Sequence, residues 1–197
     1  MMPTFLTAVI TKSDARALKL GERAGAVALV VALTAVAAQI SIPLPFTPVP
    51  FTFQPMVVLV GAMALGARLG MTSQLMYLAL GIAGLPVFAA SATLPPGVGR
   101  LFGPTGGYLM AYPFAAFLCG WLAERGWDRR YVTSLAAMLA GLAVIYAGGV
   151  AWRLALMRSF DLAVATSVLP FLVPDFVKAA AAASLLPAAW RVVGRSS

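Results

Sequence analysis

Long stretches of this sequence carry no charge, and that constrains the fold more than any motif does. Ala24 to Ala67 is 44 residues without an Asp, Glu, Lys or Arg, Leu69 to Gly99 is 31, Leu101 to Ala123 is 23 and Tyr131 to Trp152 is 22. A helix crossing a bilayer needs about 20 apolar residues, so the chain reads as a polytopic membrane protein. With 61% apolar and 10% charged residues it lacks the polar surface of a soluble enzyme or a nucleic-acid-binding protein. Its net charge of +8 is then a matter of topology and not of an acidic partner.

Six spans of about 20 residues would use most of the 197 positions and leave no room for a second domain. There is no His and a single Cys, Cys119, which reads as helix filler. No GxxxxGK[ST] phosphate loop occurs, so an ATP-driven step needs a partner. The pattern implies neither a metal nor a cofactor, and a membrane enzyme would lack acid–base partners.

The expected elements run as follows. Helix one covers about Ala24 to Ile42. The next stretch holds five of the 14 prolines between Pro43 and Pro55; each fixes φ and removes a donor, so it is extended. Being also aromatic, it suggests a lid or plug folded over the bundle. Helix two spans Pro55 to Ala67, with a tight turn at Arg68 to Gly70, and helix three spans Met71 to Leu85. A second long loop follows between Pro86 and Pro104. Helix four runs from Gly106 to Ala123 with a kink or break near Pro113, and helix five from Tyr131 to Trp152. The sixth element is interrupted, with a clean helix starting at Pro174 and ending near Ala189.

Placing both termini in the cytoplasm puts Lys12, Arg16, Lys19, Arg23, Arg68, Arg125, Arg129, Arg130, Arg191 and Arg195 inside. Arg100, Arg153 and Arg158 then lie outside, which obeys the positive-inside rule. Residues 1–23 are thus expected as a cytoplasmic segment, 24–190 as the transmembrane domain and 191–197 as a cytoplasmic tail. Both proline-rich loops fall on the outer face, and a site open to the outside follows.

Asp175 and Lys178 stand three residues apart in an apolar context, one turn apart on one helix face if Pro174 opens that helix. Ionisable groups at membrane depth are expensive and mark function by default; the structural alternative is an Asp at the helix N-terminus with its own Lys partner. Arg100 and the Gly106-Gly107 start of helix four offer donors for an anionic group, or Arg100 sits among lipid headgroups. Gln54 is a polar side chain at the entry to helix two. Ala24, Ala28 and Ala32 recur every four positions, with Ala35 and Ala38 nearby, a spacing that permits close helix contact in lipid, either within the bundle or with a partner.

Four stretches carry a family resemblance: Ala38-Gln-Ile-Ser-Ile-Pro-Leu-Pro45 with Pro48-Val-Pro-Phe-Thr-Phe-Gln54; Tyr77 to Phe88; Gly103-Pro-Thr-Gly-Gly-Tyr-Leu109; and Pro170-Phe-Leu-Val-Pro-Asp-Phe-Val-Lys178. In these the sequence resembles the BioY family, the biotin-binding S components of energy-coupling-factor (ECF) transporters. It departs from the family pattern at Pro174, where Gly is expected. The resemblance implies an all-α, six-helix S component that captures biotin with high affinity in the membrane of a bacterial cell. Its implied partners are a transmembrane T component, which would contact Ala24, Ala28 and Ala32, and a pair of ATPases.

Carried over, the binding residues are Gln54, Arg100, Tyr108, Asp175 and Lys178. Biotin's ureido ring has two N–H donors and a carbonyl, suiting Asp175 with Lys178 or Gln54, and its carboxylate suits Arg100 or the Gly106 and Gly107 amides. Phe46, Phe51, Phe88 and Tyr108 would wall its apolar parts. Two other functions remain open on the residues alone: an S component for a different vitamin, and a self-sufficient homo-oligomeric carrier.

Overall fold

The structure is a computed structural model that describes residues 4–6, 16–91 and 96–193. Lys12, Asp14 and Arg195, and most of the expected 1–23 segment, lie outside the described residues. The chain forms helix α1 (Arg16–Gln39), strands β1 (Ser41–Leu44) and β2 (Thr47–Thr52), then helices α2 (Gln54–Leu65) and α3 (Ala67–Ile82). After a 3-10 turn at Val98–Phe102 come α4 (Gly106–Ala123), a second 3-10 turn at Trp127–Arg129, α5 (Tyr131–Met157), α6 (Phe160–Ser167), α7 (Leu169–Ala182) and α8 (Leu185–Val193). Counting α6 to α8 as one broken segment, this is a bundle of six helical segments.

Among the described residues, four stretches are long and apolar enough to cross a membrane: Leu20–Gln39, Gly106–Ala123, Tyr131–Met157 and Phe160–Val192. The α2 and α3 helices are shorter, at 12 and 16 residues, or about 18 and 24 Å at ~1.5 Å per residue. They meet end to end at Gly66, whose φ of 88° and ψ of 174° suit glycine alone. The turn therefore lies at Gly66 and not at Arg68 to Gly70, which are already helical. Two contacts explain the shift. Glu124 Oε1 accepts the Ala67 amide at 2.9 Å, capping α3 from another helix, and Gly70 packs so closely on α2 that a Cβ there would sit 2.9 Å from Ala62 Cα.

The bundle is organised around α4, which packs on α2, α3 and α5 and has 13 of its 18 residues buried. Small residues make this possible. A Cβ on Gly107 would lie 2.3 Å from the Gly148 carbonyl oxygen, and one on Gly120 would lie 2.4 Å from the Ala67 nitrogen. Pro113 lies inside α4 without ending it, so no break occurs there. Cys119 is free and buried, its thiol donating to the Ala137 carbonyl.

The Pro-rich stretch is extended as its composition requires, and it forms an antiparallel hairpin turning at Pro45 and Phe46, with Ser41 opposite Thr52 and Ile42 opposite Phe51. In a two-stranded sheet every strand is an edge, so prolines are tolerated; the ladder is irregular between Ile42 and Leu44, where Pro43 has no N–H to give.

The last segment breaks not at Pro174 but at Val168 and again at Ala183 and Ser184, between α7 and α8. Val168 separates α6 from α7, Pro170 occupies the first turn of α7, and Pro174 lies inside that helix. As a first-turn proline Pro170 costs α7 no helical bond, but it cannot continue α6. The described ends meet at one end of the bundle, where the rings of Phe5 and Trp190 stand edge to face at 5.7 Å.

Candidate functional site

Between the β hairpin, the 3-10 turn and helices α4, α5 and α7 lies a cavity, part of it open to solvent. Val49, Pro50 and Thr52 of β2 cover it; Phe88, Tyr108, Tyr112, Ile145 and Phe171 supply apolar and aromatic walls; Gln54, Arg100, Tyr146 and Asp175 supply polar groups.

Asp175 is the most constrained of these. It is 6% exposed, and each carboxylate oxygen holds one donor: Oδ1 accepts Lys178 Nζ at 2.7 Å, and Oδ2 accepts the Tyr146 hydroxyl at 2.8 Å. Lys178 also donates to the Thr52 carbonyl at 2.8 Å, and its ammonium lies 3.4 Å from the centroid of the Phe51 ring. The (i, i+3) pair expected from spacing is present, in the middle of α7 and not at its start. Lys178 does not line the main cavity; it stands behind Asp175, against Met56, Leu59 and Met138.

Arg100 comes from the 3-10 turn, is buried, and donates to the Ala89 carbonyl. It forms part of the cavity wall. Arg100 and Asp175 both line the cavity and are not ion-paired with each other, Asp175 being paired with Lys178. Gln54 Nε2 donates to the Tyr77 hydroxyl at 2.6 Å, and that hydroxyl donates to the Val87 carbonyl at 2.9 Å, tying α2 to the loop that carries Phe88.

Of the other expected residues, Tyr108 and Phe88 line the cavity. Phe46 is 62% exposed at the hairpin tip and takes no part in it, and Phe51 packs on Lys178 outside its lining. Gly106 and Gly107 also lie outside the lining, against the Leu101 carbonyl and the α5 backbone; they set helix spacing. Ala24, Ala28 and Ala32 form an exposed face of α1, while Ala38 turns inward.

Tyr146, Tyr112 and Thr105 are cavity residues that sequence reasoning missed. Tyr112 was legible in principle, one turn after Tyr108 on the same helix. Tyr146 is the one tyrosine of an otherwise apolar stretch of α5, and no local signal ties it to Asp175.

A bundle of this form, with a hairpin over a polar-lined cavity, has the fold of a transporter S component. It superposes with a TM-score of 0.79 on the crystal structure of the S component for biotin from an ECF-type ABC transporter, covering 91% of this chain and 95% of that one at 23% identity. The BioY family model matches residues 11–195, and the chain belongs to that family. It is 47% identical over 156 residues to the probable biotin transporter BioY of Pyrococcus horikoshii, covering 79% of this chain and 88% of that protein. To the biotin transporter BioY of Thermotoga maritima it is 40% identical over 152 residues, covering 77% and 86%. These relatives are named as transporters and not as enzymes.

Proposed function

We propose that this chain is the substrate-capturing S component for biotin, embedded in a cell membrane, bacterial by the resemblance, with its cavity facing outward. The observation that carries this reading is an aromatic-walled cavity whose lining includes both a carboxylate, Asp175, and a guanidinium, Arg100. Asp175, acceptor-only when ionised, takes a ureido N–H, and the Tyr146 hydroxyl and Lys178 ammonium orient its carboxylate. Gln54 Nε2 keeps a second N–H for the ureido carbonyl. The carboxylate of biotin avoids Asp175 and meets Arg100, and Tyr108, Tyr112, Phe88 and Phe171 enclose the thioether ring and aliphatic tail.

Orientation follows from charge. Arg68, Arg125, Arg129, Arg130 and Arg191 belong to the end where Phe5 meets Trp190, and Arg100 to the cavity end, which supports cytoplasmic termini. The exposed Ala24, Ala28 and Ala32 face is offered to a T component, and ATP hydrolysis is left to ATPase subunits.

Titration calorimetry of the purified chain with biotin, using thiamine and riboflavin as controls, tests the reading. One-site binding of biotin alone is expected. Binding of a control vitamin instead would move the chain to another vitamin, and uptake by cells without the ATPases would make it a self-sufficient carrier.

A further inference from the structure

Arg153 is a buried cation that the binding scheme above does not use. It lies on α5, 6% exposed, and among the described residues it forms no ion pair. One guanidinium nitrogen donates to Thr166 Oγ1 at 2.9 Å, and its Nε has no hydrogen-bond partner. Holding an unpaired cation in such a place is costly, so its surroundings need an account.

Its contact is the last turn of α6. A helix leaves its final carbonyls without internal donors, and here Pro170 makes the vacancy permanent, because the donor that Thr166 would use four residues on is a proline nitrogen with no hydrogen. Two of these carbonyls are claimed by side chains from other elements. The Thr166 carbonyl accepts Thr47 Oγ1 of β2 at 2.7 Å, and the Ser167 carbonyl accepts the Tyr108 hydroxyl at 2.7 Å. The hairpin over the cavity and a tyrosine in its wall are therefore anchored to two successive peptide groups. Arg153 ties that turn to α5, with Thr166 Oγ1 passing the bond on to the Leu162 carbonyl at 2.7 Å. The negative end of the α6 dipole favours the cation there.

We infer that Arg153 is a positioning residue: by fixing the C-terminal turn of α6 it holds both the β2 cover and Tyr108 in place, and so sets how long a ligand stays in the cavity. The inference rests on the proposed binding function for its kinetic consequence but not for its structural one, and two measurements separate them.

The first is hydrogen exchange in the ligand-free protein. Arg153→Met and Thr166→Val should speed exchange of the Thr47, Val49, Phe51 and Thr52 amides about tenfold or more, the loss expected from one charge-assisted bond, while Thr166→Ser keeps the parent rate. Unchanged exchange in both Arg153→Met and Thr166→Val overturns the inference whatever the ligand is. The second is the biotin dissociation rate, which should rise in Arg153→Met with little change in association. Combining it with Thr47→Val should add less than the two separate effects, since both act on one turn. Additive effects, or a parent-like dissociation rate, overturn it. If the parent binds no biotin, the functional reading fails while hydrogen exchange still decides the clamp.

Discussion

Replacing Asp175 by Asn changes one atom type in a buried pair and separates its structural duty from its binding duty. The carboxylate of Asp175 accepts from Lys178 and from Tyr146 through different oxygens; an amide of the same shape faces one of these donors with an N–H. Lys178 is then left 9% exposed with the Thr52 carbonyl and the Phe51 ring as partners. Breaking a buried pair from one side costs about 3–5 kcal/mol, so the melting temperature should fall markedly. The ligand loses an acceptor of full charge, about 1.5–3 kcal/mol, which raises the Kd for biotin roughly 10- to 150-fold.

The double variant Asp175→Asn with Lys178→Met removes both charges. Whole-pair replacement is often neutral for stability, so the melting temperature should recover while affinity does not. Calorimetry and thermal unfolding of parent, single and double variants in one detergent give both quantities. A single variant that is folded and binds biotin within about twofold of the parent, a difference of roughly 0.4 kcal/mol, would refute a ligand contact for Asp175. Recovery of affinity in the double variant would refute it too, since only stability would then have been at stake.

Arg100→Gln should weaken biotin about tenfold or more and change the affinity of a biotin amide much less, as measured by competition; equal losses for both would place the carboxylate elsewhere. Gly66→Ala should cost about 1–3 kcal/mol of stability, since this backbone region is essentially restricted to glycine and the new Cβ would stand 2.8 Å from Glu124 Oε1; biotin affinity should be unaffected, and an unchanged melting temperature would contradict the strain. Asp128, in the turn between α4 and α5, is fully buried and accepts Trp190 Nε1 at 2.6 Å with its other oxygen unpartnered. Burial pushes its carboxyl above the usual carboxylate range. A pKa raised on folding means that the charged form destabilises the folded state: the penalty is absent where both states are protonated and grows as pH rises through the folded value. Asp128→Asn should therefore raise the melting temperature near neutral pH and lose that gain as pH falls toward the carboxylate range; an equal gain at every pH would refute the assignment.

Where sequence and structure part company, the cause lies in contacts between distant segments. The bounds of α4, Gly106 to Ala123, were legible because glycines precede the helix and Glu124 follows a charge-free run. The α2–α3 turn was not, because Arg68 is a conspicuous charge but the turn is made by Gly66 and capped by Glu124 from 57 positions away. The prolines of the last segment were visible, yet which one ends a helix depends on which carbonyls find other donors: Thr47 takes the one that Pro170 leaves free. In the candidate site, Gln54, Arg100, Tyr108 and Asp175 line one cavity as a set, whereas Phe46 and the two glycines, equally prominent as letters, face away from it.

By itself the sequence determined that this chain lives in a bilayer as a helical bundle, because unbroken apolar runs leave no other solvent for the chain and backbone groups in lipid must bond internally. It also determined that the Pro43 to Pro55 stretch is extended, because φ and the missing donors are local properties. Only the tertiary structure decided that Tyr146 completes the shell of Asp175, that Lys178 reaches the Thr52 carbonyl, and that Arg153 meets the end of α6. Those pairings join residues 29, 126 and 13 positions apart in forms no local pattern encodes: a hydroxyl, a backbone carbonyl and a helix terminus become partners only when packing excludes water from all three.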